Sequence, residues 1–553
     1  MDANMRAATK PFLCLLITLV AVLAAAPPAI PAEPLAKPPL ILGVLEFPTS
    51  GAPEAHDAFE RGVMLLHSFE YEDARSAFLE AQAIDPGFAM AIWGEAMTLN
   101  HPLWDQQKRE DAFKVLDKLP PPEKRKTTEL EERFIDAVQT LYGAGSKQAR
   151  DLAYRDAMAA MHADYPDDLE VAAFYALSIL GSVYERDYRT YMQAAAVAEE
   201  VFAEQPQHPG AAHYLIHSYD DQVHAPLGLR AARAYTKIAP SASHAQHMVS
   251  HIYTSLGRWD EVIEANRTAV RVSEESMLRA GRSGHMRSKH ALHWLEYALL
   301  QQGRYDEAID TLRVMREDVG ALPDLQNLRH SAMMRASFAV EAPLTDSPLA
   351  PLGETDAPLY YQVLDDFASA WSMIAEGSLA DARQAHARMQ HRIGGARVLS
   401  VEEGLHEDDS ATSADDYLMA QIIARQIETL LAFHAGDAGR ALELSGEALE
   451  DETGRPPYYG PPHIPKPSDE LMGEMLLALE RPAEAAAMFE QSLARHTNRT
   501  LSLLGLARAQ EAAGDREAAE TWSQIDAQWR GDPDALRDMS YSWLPEVRAS
   551  AAR

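Results

Sequence analysis

The sequence predicts an all-α fold, a right-handed superhelical solenoid of stacked helix pairs, on three observations. Histidine pairs recur at a fixed interval: His213 and His217 in HYLIHSYDD are followed, 34 residues on, by His247 and His251 in HMVSHIYTS. Small and aromatic residues keep the same frame elsewhere. Gly62, Ala74, Phe78, Ala81 and Pro86 mark it near the start; Gly473, Ala485 and Phe489 repeat it near the end, with Ala519 34 residues after Ala485 and Pro240 34 after Pro206. The composition agrees: the chain is 47% apolar, rich in Ala, Leu and Glu, with only 14 Phe and 20 Tyr, which favours helix over sheet.

A period of 34 residues is the length of the tetratricopeptide repeat (TPR), a pair of antiparallel helices, A and B, that packs closely through small residues. The N-terminus precedes the array. Arg6 and Lys10 lead into the apolar run PFLCLLITLVAVLAAA, and small residues follow, the pattern of an export signal over residues 1–32. The run is short for a membrane span, so no stable membrane insertion is expected after cleavage. Export places the mature chain in the periplasm or outside the cell. Residues 33–53 read as an extended segment. A first TPR array runs over 54–340, where the turns LGRWDE and QGRYDE lead into helix B. A loop at 341–358, EAPLTDSPLAPLGETDAP, separates it from a second array over 359–545 that contains the acidic stretch VEEGLHEDDSATSADD and the proline-rich connector TGRPPYYGPPHIPKPSD. A tail of 546–553 ends the chain. Nine or ten helix pairs fit between Glu54 and Arg530.

Charge and cysteine content narrow the chemistry. The formal net charge is −33, and removal of Asp2, Arg6 and Lys10 with the signal makes it −34. Nucleic acid and anionic membrane are poor partners for such a charge, and cations are favoured. The single cysteine, Cys14, lies inside the signal. The mature chain therefore has neither disulfides nor thiolate ligands, and any metal site must use imidazole and carboxylate.

The frame says where the histidines point. In TPR arrays positions two, five, nine, twelve and thirteen of helix A face the concave groove. His213 and His217 take positions five and nine of one repeat; His244, His247 and His251 take two, five and nine of the next. A 12-residue insertion shifts the following repeat by 46, so that His290, His293 and Tyr297 match His244, His247 and His251. Ten of the 21 histidines fall between His208 and His293, a density that background usage does not give. Side chains four apart share a helix face, and neighbouring helices lie about 8–10 Å apart. The two pairs are thus expected to converge on one ion, with His244, His290 and His293 around it. Imidazole suits Zn, Cu or Fe. Asp220 and Asp221, at positions twelve and thirteen, are expected to orient an imidazole or to line the groove. His67 and His101, at position thirteen of the first two repeats, and Glu470 and Glu474, at five and nine of a late repeat, are further groove candidates. Tyr297 is the candidate proton donor or redox partner. Free imidazoles protonate near pH 6.5, so an ion should be lost below about pH 6.

The segments HPGAAHYLIHSYDD, HAQHMVSHIYTSLGRWDE and KPSDELMGEMLLALERPAEAAAMFEQSLARHTNRTLSLLGLARAQ resemble a family of exported bacterial TPR proteins, distantly similar to the tetratricopeptide repeat protein 38 type. The likeness covers most of the mature chain and departs at Val249, where the family has proline. It implies the fold, export and the histidine motifs; it implies no reaction. No nucleophile elbow, phosphate loop or HExxH motif is present. Two functions follow from the residues: a metalloprotein, either a metal-dependent oxidoreductase or hydrolase or a metal carrier, and a non-catalytic scaffold that holds a protein or peptide in the groove.

Overall fold

The computed structural model describes residues 39–104, 106–184, 187–342, 350–399, 411–455 and 460–538. The export signal at 1–32 and the tail at 546–553 lie outside them, as do 343–349 of the expected loop, 401–410 of the acidic stretch and 456–459 of the proline-rich connector. The chain divides into two compact units, residues 1–40 and 41–553. Of the first, residues 39 and 40 are described, and they have no regular structure. The second is an all-α TPR solenoid, in which the one sheet among the described residues is a two-stranded ribbon.

The helices follow one another as short antiparallel pairs. α1 (Pro53–His67) and α2 (Tyr71–Ile84) form the first. α3 (Ala89–Met97) leads into β1 (Asn100–His101), a 3-10 turn at Pro102–Trp104, β2 (Gln106–Gln107) and α4 (Arg109–Leu116). α5 (Glu129–Leu141) pairs with α6 (Lys147–Asp164), α7 (Leu169–Leu180) with α8 (Tyr188–Glu204), α9 (Pro209–Ser218) with α10 (Ala225–Ile238), α11 (Ser243–Ser255) with α12 (Trp259–Arg279), and α13 (Lys289–Gln301) with α14 (Tyr305–Ala321). α15 (Leu325–Glu341) packs against α13, α14 and α16 (Leu359–Glu376). Helices on either side of the 341–358 stretch therefore touch directly. Then come α17 (Leu379–Gly395), α18 (Ala414–His434), α19 (Ala438–Thr453), α20 (Ser468–Ala478), α21 (Pro482–Arg495), α22 (Thr500–Ala513), α23 (Ala518–Gln528) and α24 (Pro533–Asp538).

The expected small-residue frame is the packing frame. Gly62, Ala74, Phe78, Gly473, Ala485 and Phe489 are all buried. A Cβ on Gly62 would stand 2.7 Å from the Phe78 ring, and one on Gly94 of the next repeat 2.3 Å from it. Gly473 and Gly505 flank Phe489 in the same way, at 3.0 and 2.2 Å. In these two repeats a phenyl ring is thus clamped between two bare helix backbones. Burial of such a ring stabilises by several kcal/mol, since Phe→Ala in a core costs about 3–5 kcal/mol.

Residues far apart in sequence also meet. The chain before α1 runs extended: Val44 N–H donates to Gln207 carbonyl (3.0 Å), Ser241 N–H to Ile41 carbonyl (3.2 Å), and Phe47 packs among Phe59, Trp93 and Phe134. The turn between α1 and α2 reaches α11, where Glu70 Oε1 accepts from His244 N–H (2.9 Å). The late repeats return to the middle ones. Trp259 Nε1 donates to Asn498 carbonyl (3.1 Å), Thr500 N–H to Gln301 Oε1 (2.9 Å), and Gln222 Nε2 to Arg495 carbonyl (2.7 Å). The glycines of LGRWDE and QGRYDE serve this return. Gly257 (φ 63) would place a Cβ 2.4 Å from Asn498, and Gly303 (φ 68) one 2.2 Å from the Trp529 ring. Both the left-handed backbone and the close approach require glycine there.

Candidate metal centre

α9 opens with His208 as its cap, the ring Nδ1 accepting from Ala211 N–H (3.1 Å), and Pro209 in the first turn. α11 and α13 lie beyond it in the array, so their A-helix faces present the histidines in register. The structure brings them together as two triads rather than around the single centre expected. His213, His217 and His244 offer ligand atoms within 4.8 Å of one another, and so do His247, His251 and His290. Each triad takes positions five and nine of one repeat and position two of the next. The 34-residue interval therefore copies a site instead of enlarging one.

The ring hydrogens are fixed by what surrounds them. His213 Nδ1 donates to the His67 carbonyl (2.7 Å). His247 Nδ1 donates to Asn266 Oδ1 (2.7 Å), and that amide is oriented by its own Nδ2 donating to Val262 carbonyl (2.8 Å). His251 Nδ1 donates to Asp220 Oδ2 (2.6 Å), whose Oδ1 accepts from Ser255 (3.1 Å). With hydrogen on Nδ1, the lone pairs of these rings sit on Nε2. His213 Nε2 lies 3.1 Å from His217 Nε2, and His247 Nε2 lies 3.2 Å from His251 Nε2. Two nitrogens bound at about 2.0–2.1 Å to one tetrahedral ion stand roughly 3.3 Å apart, so both pairs fit the edge of such a site. His244 Nε2 is buried and has no hydrogen-bond partner among the described residues.

Burial favours the uncharged form of His213, His217, His244, His247 and His290. Burial, and then the neighbouring imidazoles, hold His217, His244 and His290 well below the usual histidine range. Burial and His251 do the same for His247, against the Asn266 hydrogen bond. Burial pushes His213 down to about 3, against the hydrogen bond to His67. These five rings are thereby held below the value near 6.5 expected of free imidazoles. His217, His244 and His290 are half-buried and open onto a cavity of about 580 Å³. Neutral imidazole is the ligand form.

The other expected residues divide. Asp220 supports His251 as expected. Asp221 instead ties the turn before the next helix, accepting from Val223 and His224 N–H, and pairs with His224 Nδ1 (2.8 Å). His293 stands outside both triads, facing His330 at a ring separation of 5.7 Å. Tyr297 is not at the centre. Its hydroxyl accepts from Arg499 Nη1 (3.1 Å), because the returning late repeats bury that guanidinium beside it. Glu470 and Glu474 are likewise withdrawn from the groove, held by Lys466 and, for Glu470, by Arg499 Nε (2.7 Å). His101 lies on β1 and stacks on Tyr71 at 3.9 Å.

His67 belongs to a third cluster, with Glu170 and His208. Its Nε2 and that of His208 donate to the two Glu170 oxygens (2.9 and 3.0 Å), while its Nδ1 accepts from Tyr214 (2.7 Å). Burial would raise Glu170, but His208 and His67 outweigh it and hold the carboxyl at about 2. Every ring nitrogen in this cluster is used, so it is a structural lock. It orients the first triad through the His67 carbonyl. Glu170, Glu70, His208 and His330 were not singled out from the sequence, and neither was Asn266. Asn266 alone carried a signal: it occupies the position of Phe78 and Phe489 in their repeats, where a polar residue needs a reason.

No family model matches the sequence, and no curated protein matches it. Among solved structures the chain is similar to an IFIT1 monomeric mutant with Gppp-AAAA, at 12% identity over 86% of this chain and 99% of that one, with a TM-score of 0.34. It is similar to the Cut9–Hcn1 hetero-tetramer of the APC/C at 12% identity over 88% and 76%, TM-score 0.35. Yeast Tom70 gives 11% identity over 90% and 89%, TM-score 0.28.

Proposed function

We propose that this chain is an exported metalloprotein whose two three-histidine centres each hold a transition-metal ion, Zn, Cu or Fe, in the groove of a TPR solenoid. The observation that carries the reading is the pair of Nε2···Nε2 separations, 3.1 and 3.2 Å, with the Nδ1 hydrogens of His213, His247 and His251 committed elsewhere. Export rests on the N-terminal apolar run, the cysteine-free mature sequence and the resemblance to exported TPR proteins of the tetratricopeptide repeat protein 38 type. No helix among the described residues is long and apolar enough to cross a membrane.

Three protein nitrogens leave a coordination position of each ion for water or substrate, the pattern of catalytic centres. When bound, Zn activates water, and Cu or Fe supports O2 chemistry. The chain's own residues orient the ligands through Asn266, Asp220 and the His67 carbonyl, and burial favours the neutral form of His213, His217, His244, His247 and His290. The adjoining cavity favours turnover of a small molecule over carriage, because a carrier needs no room beyond the ion. The test is metal analysis of the mature protein after loading with each metal and dialysis. Two equivalents are expected, one in a His217→Ala variant. A protein that retains no Zn, Cu or Fe leaves the scaffold reading, with a peptide in the groove, in its place.

A further inference from the structure

We infer that the two triads act as one dinuclear centre, and that the cavity takes a small anion with a flat apolar body whose charged end bridges the two ions. The inference rests on the metal reading above and adds a ligand class to it.

The triads are adjacent. The His217 ring lies 5.8 Å from the His251 ring, and the His244 ring 6.0 Å from the His247 ring, centroid to centroid. Rings of different triads are thus no farther apart than His251 and His290 within one triad, at 6.2 Å, so ions held by the two could stand as close as the about 3.5–4 Å of two-metal sites. Both triads open on the same cavity, through His217 and His244 on one side and His251 and His290 on the other.

Charge then selects the ligand. Two divalent ions on six neutral imidazoles bring four positive charges into a buried site. Asp220, hydrogen-bonded to His251, is the only carboxylate that touches a ligand ring among the described residues. In a chain of formal charge −33, no Asp or Glu lines the cavity among the described residues, whereas seven histidines and Arg329 do. Buried charge is tolerated when it is paired, and the lining withholds the partner. An incoming anion supplies it, and a bridging position lets one anion meet both ions.

Shape selects the rest. Trp294 lies over the second triad, 4.2 Å from the His251 ring at 35°. Trp104 stands 5.7 Å from His244 at the edge of the first. Tyr361, with the Arg329 guanidinium 5.5 Å from its ring, and Met248 and Met333 continue the wall. Aromatic faces and thioethers suit a flat apolar ring. A volume of about 580 Å³ is that of a small-molecule site.

The test uses the mature protein loaded with Co(II), whose visible spectrum reports the ligands, and benzoate as the probe. We expect one benzoate per two Co(II), bound at least 10-fold more tightly than acetate, and no response to benzylamine at equal concentration. His251→Ala should retain one Co(II) and bind benzoate at least 10-fold more weakly. If that variant fails to fold, His290→Ala, at the open edge of the same triad, carries the same expectation. One benzoate per Co(II), an affinity unchanged by loss of one ion, or binding of benzylamine overturns the inference and leaves two separate metal sites. A protein that takes up no Co(II) overturns both the metal reading and this one, and the absent cobalt spectrum tells that failure apart.

Discussion

The first triad is steered by a main-chain carbonyl, that of His67 on His213; the second is steered by side chains, Asn266 on His247 and Asp220 on His251. The repeat frame copied the ligands and not their supports. A carboxylate behind an imidazole makes it a stronger donor than a neutral carbonyl does. Two sites with the same three ligand types should therefore hold their ions unequally, the second more tightly. Evolution of a repeated site can tune one copy without touching the candidate ligands.

The strongest test removes the ligands themselves. A His217→Ala, His251→Ala double variant should bind no ion, and each single variant one, read by metal analysis. If either single change empties both sites, the triads are not separable copies. Next in size is acid, which should erase the difference between the triads. The buried rings have folded-state pKa values below the unfolded value near 6.5, as for His213 at about 3. The unfolded chain thus takes up protons first as pH falls. Stability is intact above about pH 6.5 and is lost below it, by up to about 1.4 kcal/mol per pH unit for each such ring. The metal-free protein should unfold cooperatively between about pH 6 and 4 when followed by circular dichroism, and a flat signal across that range would contradict the burial. Asp220→Asn should weaken the second site about 10–100-fold and leave the first unchanged in a two-site titration; equal weakening of both would show that the supports are shared. Asn266→Leu should act on the same site more mildly, about 10-fold, and lower stability by about 1–3 kcal/mol through the unpaired His247 N–H. The smallest effect on metal is that of Ala485→Leu. It overpacks a helix pair far from both triads and should cost about 1–3 kcal/mol in thermal unfolding with two ions still bound.

The parts of this molecule set by one repeat were legible in its sequence. The interval of 34, the clamped phenylalanines and the ligand histidines all follow from position within a helix pair, which local spacing records. An aspartate behind an imidazole was legible as well, though not that Asp220 rather than Asp221 would supply it to His251. What escaped is set between repeats. His290 joins His247 and His251 because position two of one helix reaches positions five and nine of its predecessor, and no spacing within a helix says so. Tyr297, Glu470 and Glu474 were misplaced for a different reason. Arg499, more than a hundred residues from Tyr297, is buried against it by the return of the late repeats, and a periodic pattern holds no record of that return. Glu170 and His208 lack any periodic relation to His67.

The hydrogen bonds that tie the late repeats to the middle ones join residues 199 to 273 apart in sequence. An ordinary solenoid is a one-dimensional chain of neighbours that can nucleate anywhere and fray from its ends. Contacts of this span change its folding. Closing them costs loop entropy that contacts between neighbouring repeats do not, so folding should be slower than that of an open array and should finish only once α22 and α23 are made. Once closed, the end of the array is no longer free to peel. The histidine-bearing repeats should then unfold with the rest of the described array, and their resistance to proteases should follow the whole array's stability rather than their own.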